Sequence, residues 1–200
     1  MNRMAEGESG PANGFTYLGP EEFDELVPDW IVNREDLNRA ESDAILGTRV
    51  RYFSEKFQAN QILDDLFLRN LHRDMFASVW TWAGKYRTRE LNLGIDSSQI
   101  ATAVRSLLEF TRYRIGDNQD LDLVTCELHH RLVAIHPFVN GNGRHGRLFV
   151  DLLRASLVLR PFNWGGFEGM TPKETRLTYL SALRVADRGD IGPLLDFLRA

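Results

Sequence analysis

Residues 136–147 bring together side chains able to move a proton and hold an anion. His136 closes an apolar run, and an imidazole with an ordinary pKa of about 6.5 is matched to take a proton from a hydroxyl near neutral pH. Gly141, Asn142 and Gly143 follow, where backbone can turn tightly and approach a ligand. At a helix entrance their N–H groups point outward and the helix dipole adds positive potential, which makes an anion cradle. Arg144 and Arg147 are three apart and so share a helix face one turn above that cradle.

The elements that position this stretch can be read from periodicity. The apolar run 148–159 reads as a buried helix. Arg144, Arg147, Asp151 and Arg154 form one stripe on it; Leu148, Phe149, Leu152, Leu153 and Leu157 fill the other sides. Residues 121–135 read as the helix that delivers His136, with Val124, Leu128, Leu132 and Ile135 on its apolar stripe. His129 and His130 point about a hundred degrees apart on it, so they cannot share a metal ion; structural roles are expected, one of them orienting His136. Residues 60–82 predict one further helix ended by Trp82-Ala83-Gly84, with Trp80 and Trp82 in the core and His72 as a structural hydrogen bonder.

Residues 87–95 alternate as an extended chain does, which predicts a hairpin bending at Gly94. Ser97 or Ser98 then caps a helix running to Tyr113. Pro161 stops the central helix, and 163–166 is a loop of the kind that borders a site. Thr171-Pro172-Lys173-Glu174 has the form of a capped helix start, and 191–198 closes the chain as a last helix. At the other end, 1–14 reads as a mobile tail, 21–32 as a short helix or irregular arm, and 36–45 as a helix with Leu37 and Ala40 inward and Glu41 solvated. The whole is all-α with one short β-hairpin, in three parts: tail 1–14, helical arm 15–59 and main domain 60–200.

With 200 residues, 43% of them hydrophobic, the chain can bury one real core. A net charge of −4 gives no whole-chain reason to expect nucleic acid, and no apolar run reaches membrane-spanning length. The single cysteine, Cys126, cannot form an intramolecular disulfide and reads as an inert core thiol. A cytoplasmic location fits all of this, with no membrane and no nucleic acid as partner.

The stretch from His136 to Arg147 resembles the motif His-x-Phe-x-(Asp/Glu)-Gly-Asn-Gly-Arg-x-x-Arg of the Fic/Doc (Fido) family, with Asn140 at the acidic position. The flanks 71–87 and 179–194 look like the family's helices before the flap and at the C-terminus. The subgroup most resembled is mobile mystery protein B, found in bacterial mobile elements. The resemblance implies a protein adenylyltransferase: AMP passes from ATP to a Ser, Thr or Tyr hydroxyl of a target protein. It assigns His136 as base, Gly141, Asn142 and Gly143 (with the Asn142 side chain) to the α-phosphate, Arg144 to the β-phosphate and Arg147 to the γ-phosphate. In-line attack at phosphorus needs charge stabilisation and positioning more than covalent help, and these groups supply both. Arg89, Leu91 and Leu93 fall on the family's flap, where a target backbone aligns by strand addition. The acidic position binds Mg²⁺ in the family, and an amide there implies weak binding. The family's inhibitory pattern, (Ser/Thr)-x-x-x-Glu-(Gly/Asn), is only loosely approached at 37–42. An antitoxin-like or regulatory partner encoded nearby is a further expectation. A second reading is a nucleotide-binding regulator with catalysis weakened at Asn140; phosphoryl or phosphocholine transfer ranks lower, and a DNA-binding module last.

Overall fold

A computed structural model describes residues 24–31, 33–117, 119–165 and 170–200. Its helices are α1 (Arg34–Ser54), α2 (Ala59–Ile62), α3 (Asp65–Phe76), α4 (Ile100–Gly116), α5 (Leu121–Ile135), α6 (Asn142–Ser156), α7 (Pro172–Ala186) and α8 (Gly192–Arg199). The proposed tail lies outside the described residues, as do 21–23 and Val32 of the arm.

Local chemistry sets the helix starts. Asn33, Asp64 and Asp120 each accept two backbone N–H groups at the heads of α1, α3 and α5. Thr171 and Glu174 form the expected capping box at α7, with Pro172 in its first turn. Some expectations about helix bounds fail: the helix expected from Ser97 or Ser98 to Tyr113 is α4, which follows a turn capped by Asp96 and runs to Gly116. The helix expected over 60–82 is broken at Leu63–Asp64, because Asp64 caps a new start, and it ends at Phe76. The helix expected over 36–45 runs on to Ser54, since nothing breaks its pattern before then.

Helix α6 is the axis. It packs on α5, α3 and α2, while α4 lies along α5, α1 along α3, and α7 pairs with α8. Every side chain from Leu148 to Arg154 is buried, including Asp151 and Arg154 of the presumed polar stripe. Those two are satisfied inside. Asp151 accepts from Trp164 Nε1 (2.9 Å), and Arg154 donates to Thr125 Oγ1 (2.8 Å) and faces Asp122 (2.8 Å). Trp80 is buried as expected, and so is Cys126, whose thiol burial pushes up to about 12.

The expected hairpin is absent. Among the described residues there is no strand, only an isolated antiparallel bridge between Leu26 and Trp80 in the arm. Residues 87–96 are irregular, bent through 92–95, because their carbonyls turn inward to one buried arginine and not across to a partner strand.

Candidate functional site

Helix α5 ends at Ile135, and His136 takes left-handed backbone (φ 54°, ψ 61°) while its N–H still donates to the Leu132 carbonyl (3.2 Å). A residue with a side chain is held in that region only by its surroundings. The ring is buried, the Val133 carbonyl favours a proton on it, and among the described residues Nε2 has no partner. The proton therefore sits on Nδ1 and the free lone pair on Nε2. Burial, with a smaller contribution from the Arg87 charge and against the opposing Val133 carbonyl, lowers the pKa to about 4. Near neutral pH the imidazole is an unprotonated acceptor.

The loop after it is tied into a ring. Asn142 Oδ1 accepts from the Phe138 N–H (2.9 Å) and Asn142 Nδ2 donates to the Phe138 carbonyl (2.8 Å). The Asn142 side chain is thus committed to the loop, which corrects its assignment to a phosphate; only its backbone amide is free. Phe138 is fully buried, stacked on His72 at 3.7 Å between ring centroids. His72 Nδ1 accepts from the Gly84 N–H (3.0 Å), so Nε2 carries the proton and donates to the Asn140 carbonyl (3.0 Å). Burial, aided by His145, keeps His72 well below its usual pKa and neutral. It is the structural hydrogen bonder expected, and it props the motif loop from α3. His129 and His130 do not touch His136: they meet Tyr179 and Asp187, each at 2.8 Å.

Two glycines play different parts. Gly141 has φ 79°, and a Cβ there would stand 2.5 Å from the Phe76 ring, so the fold itself requires glycine. Gly143 is helical and a Cβ would meet nothing within 4 Å. Glycine in a helix costs about 1 kcal/mol relative to alanine, so packing gives no reason for it. The bare backbone leaves the cradle open to close approach.

No side chain caps α6, and its first internal bond runs from His145 N to the Gly141 carbonyl (2.9 Å). The amides of Asn142, Gly143 and Arg144 consequently lack acceptors, and these are the donors an anion would meet. The Gly141 amide is not among them, since Asn140 Oδ1 accepts it (2.7 Å).

The arginines differ. Arg147 donates to the Gly143 carbonyl (3.3 Å) and lies over the Tyr179 ring, with no ion pair among the described residues. Arg144 is engaged: its Nη1 stands 2.7 Å from Glu41 Oε2, and its guanidinium lies over Phe76. Glu41 is only 3% exposed and also accepts from Trp80 Nε1 (2.8 Å), so the expectation of a solvated charge is overturned. Its signal was available. Leu37, Glu41, Thr48 and Tyr52, the buried residues of α1, fall at helical spacing on one face.

For a hard cation the donor set fits poorly. Among the described residues no three carboxylate, imidazole or thiol groups come together, and the one side-chain oxygen of Asn140 already accepts a hydrogen bond. On the flap, Leu93 is exposed and Leu91 half-buried, while the Arg89 carbonyl accepts from Arg87 Nη1 (3.0 Å).

The Fic/DOC family model matches residues 62–153. Over those residues the chain matches a Fic/Doc family domain. Its helical fold is shared with solved structures. One is the BepC protein of Bartonella tribocorum with bound AMPPNP (TM-score 0.67, 17% identity, 84% of this chain and 87% of that one). Another is the Fic domain of a putative cell filamentation protein of Bartonella quintana with bound ADP (TM-score 0.69, 17%, 89% and 94%). Among curated relatives, the protein adenylyltransferase fic-1 of Caenorhabditis elegans is 27% identical over 58% of this chain. The Fic protein of Drosophila melanogaster is 39% identical over 35% of the chain. The chain spans only a small part of these relatives, 22% of the worm protein and 13% of the fly protein.

Proposed function

We propose that this Fic domain is a protein adenylyltransferase, transferring AMP from ATP to a Ser, Thr or Tyr hydroxyl of a target protein. The observation that carries the reading is a neutral His136, with Nε2 free, beside a helix N-terminus that nothing caps. His136 Nε2 takes the hydroxyl proton as the oxygen attacks the α-phosphate; that P–O bond forms as the bond to pyrophosphate breaks. The amides of Asn142, Gly143 and Arg144 hold the α-phosphate, and Arg147 receives the γ-phosphate. Relatives bearing the name protein adenylyltransferase, and Fic structures holding AMPPNP or ADP, support the choice of nucleotide.

Mg²⁺ arriving with the triphosphate meets little help from this chain, so weak metal dependence belongs to the same reading. So does docking of the target along the flap, where no backbone–backbone hydrogen bond of the described chain uses residues 90–93. Membership of the mobile mystery protein B subgroup, origin in a mobile element, a cytoplasmic site of action and an antitoxin-like partner are proposed on the sequence alone. Among the described residues no helix is long and apolar enough to cross a membrane.

The test is transfer from α-labelled ATP to host-lysate proteins by wild type and His136→Ala. Expected is labelling that vanishes in the variant, with ATP affinity within about twofold, since a general base acts chiefly in the transition state. A second reading, a nucleotide-binding regulator, is favoured by the occupied Asn140 oxygen and by Glu41 holding Arg144. Tight ATP binding without any transfer would select it.

A further inference from the structure

We infer that Arg87 is a positioning residue that fixes the general base and the flap as one body. The inference rests on the reading of His136 as the base, and it concerns a residue that touches neither cradle nor motif arginines.

The Arg87 side chain is completely buried, and its ion-pair partner among the described residues, Glu90 at 3.6 Å, is itself 63% exposed. A buried guanidinium without a buried counter-ion must find its acceptors among neutral groups. Here they are three backbone carbonyls. Nε donates to His136 (2.8 Å), Nη1 to Arg89 (3.0 Å) and Nη2 to Ile95. Arg89 stands where the flap leaves the body and Ile95 where it returns. One rigid fork therefore spans both limbs of the flap and the carbonyl of the base.

The backbone reinforces the same junction. The Arg87 N–H donates to the Pro137 carbonyl (2.9 Å) and the Ile95 N–H to that of Ile135 (3.3 Å), so the flap is stitched to the residues on either side of His136. Gly94, at φ 102°, closes the gap. A Cβ there would stand 2.6 Å from Arg87 Nη2, 2.8 Å from His136 Cβ and 3.0 Å from the Ile135 carbonyl. The flap backbone thus rests directly on the base, with no side chain between.

His136 needs such support because its left-handed backbone is disfavoured for a residue with a Cβ. Turning its carbonyl away from Nε would let the residue relax and swing the imidazole out of register with the cradle. Lysine cannot replace the fork, since an ammonium is a point charge that cannot reach three fixed carbonyls in one plane. A purely structural arginine would affect nucleotide binding and transfer together. A positioning one separates them, because the α6 amides and Arg147 make no contact with Arg87.

The test uses the full chain as wild type, Arg87→Lys, Arg87→Met and Gly94→Ala. ATP affinity is measured by calorimetry, transfer by single turnover, and amide exchange at residues 87–96 and 132–139 by mass spectrometry. Expected for all three variants is a fall in kcat of roughly a hundredfold, the scale of a displaced reacting group. ATP affinity stays within about threefold, and exchange accelerates in both segments together. Gly94→Ala keeps the guanidinium and so decides the matter if Arg87→Met does not fold. Wild-type kcat in Arg87→Lys, or parallel loss of affinity and kcat, overturns the inference. Should wild type transfer no AMP, the proposed function fails separately. Exchange still decides the coupling: acceleration confined to the flap overturns it, and acceleration in both segments upholds it.

Discussion

Glu41 Oε2 and Arg144 Nη1 lie 2.7 Å apart, joining the N-terminal helix to the first arginine of the proposed phosphate site. Under the proposed function a phosphate would draw on the same guanidinium, and Glu41 is expected to compete with nucleotide for Arg144. Glu41→Gln keeps an acceptor for Trp80 Nε1 and removes the charge. An ion pair with one end near the surface contributes on the order of 1 kcal/mol, so ATP affinity and transfer are expected to rise about fivefold. Glu41→Gly also orphans the Trp80 N–H and is expected to lose stability by about 1–3 kcal/mol. Nucleotide titrations with urea unfolding of both variants check this; equal ATP affinity in wild type and Glu41→Gln would remove the competition.

Among the described residues Arg147 has no carboxylate partner, so its loss should act chiefly on the ligand. For Arg147→Ala, ATP binding weakens by roughly tenfold or more, the scale of one charge-assisted hydrogen bond, while AMP binding stays within about twofold. Calorimetric titration with ATP, ADP and AMP reads the difference. Equal loss for all three would place Arg147 elsewhere than at the terminal phosphate.

Asn140→Asp keeps one oxygen for the Gly141 N–H and frees the other, in place of a nitrogen that cannot ligate a metal. Transfer is expected to become more strongly dependent on Mg²⁺ and to rise about tenfold, which takes only about 1.4 kcal/mol. Rates at stepped Mg²⁺ concentrations in both forms provide the measurement. A slower aspartate form at every concentration would mean that the Asn140 amide itself contributes.

Acid should unfold this protein early. Burial lowers His129 to about 3 and His136 and His145 to about 4, and keeps His72 well below its usual value. An unfolded histidine titrates near 6.5, at about the usual model-peptide value. The stability these neutral rings contribute is full above that pH and is lost as pH falls toward about 4. Asp151 opposes them, since burial raises its carboxyl to about 6 in the folded protein, which then binds a proton that the unfolded chain does not. Four imidazoles against one carboxyl leave up to about three protons taken up on unfolding near pH 5. Urea midpoints from pH 7 to 4.5 are expected to fall steeply; a flat profile would contradict the buried neutral tautomers.

The sequence made the apolar helices and the motif legible because periodicity and glycine spacing are local properties. Residues 121–135 and the Thr171 capping box could be read without tertiary knowledge for that reason. What escaped were residues whose partners lie far along the chain. Arg87 sits in an alternating stretch that imitates a strand, yet its three carbonyls bend that stretch out of extended form. Glu41 shares a helix with charged neighbours, and only Trp80 and Arg144 reveal that its face is covered. Asn142 carried a polar side chain at the place a ligand would use, and the Phe138 backbone claimed it first.

Between Leu148 and Arg154 no side chain of α6 is more than 4% exposed. A helix covered on every side opens to solvent only when the whole domain does. The cradle is therefore mounted on the last part of the molecule to melt. Heat or urea is expected to extinguish nucleotide binding and the fold at one common midpoint, with no softened intermediate in which the site alone is lost. Control is not expected to come from loosening this buried stretch of α6. It is expected to come from what touches the site, the α1 carboxylate on Arg144 and the flap on His136.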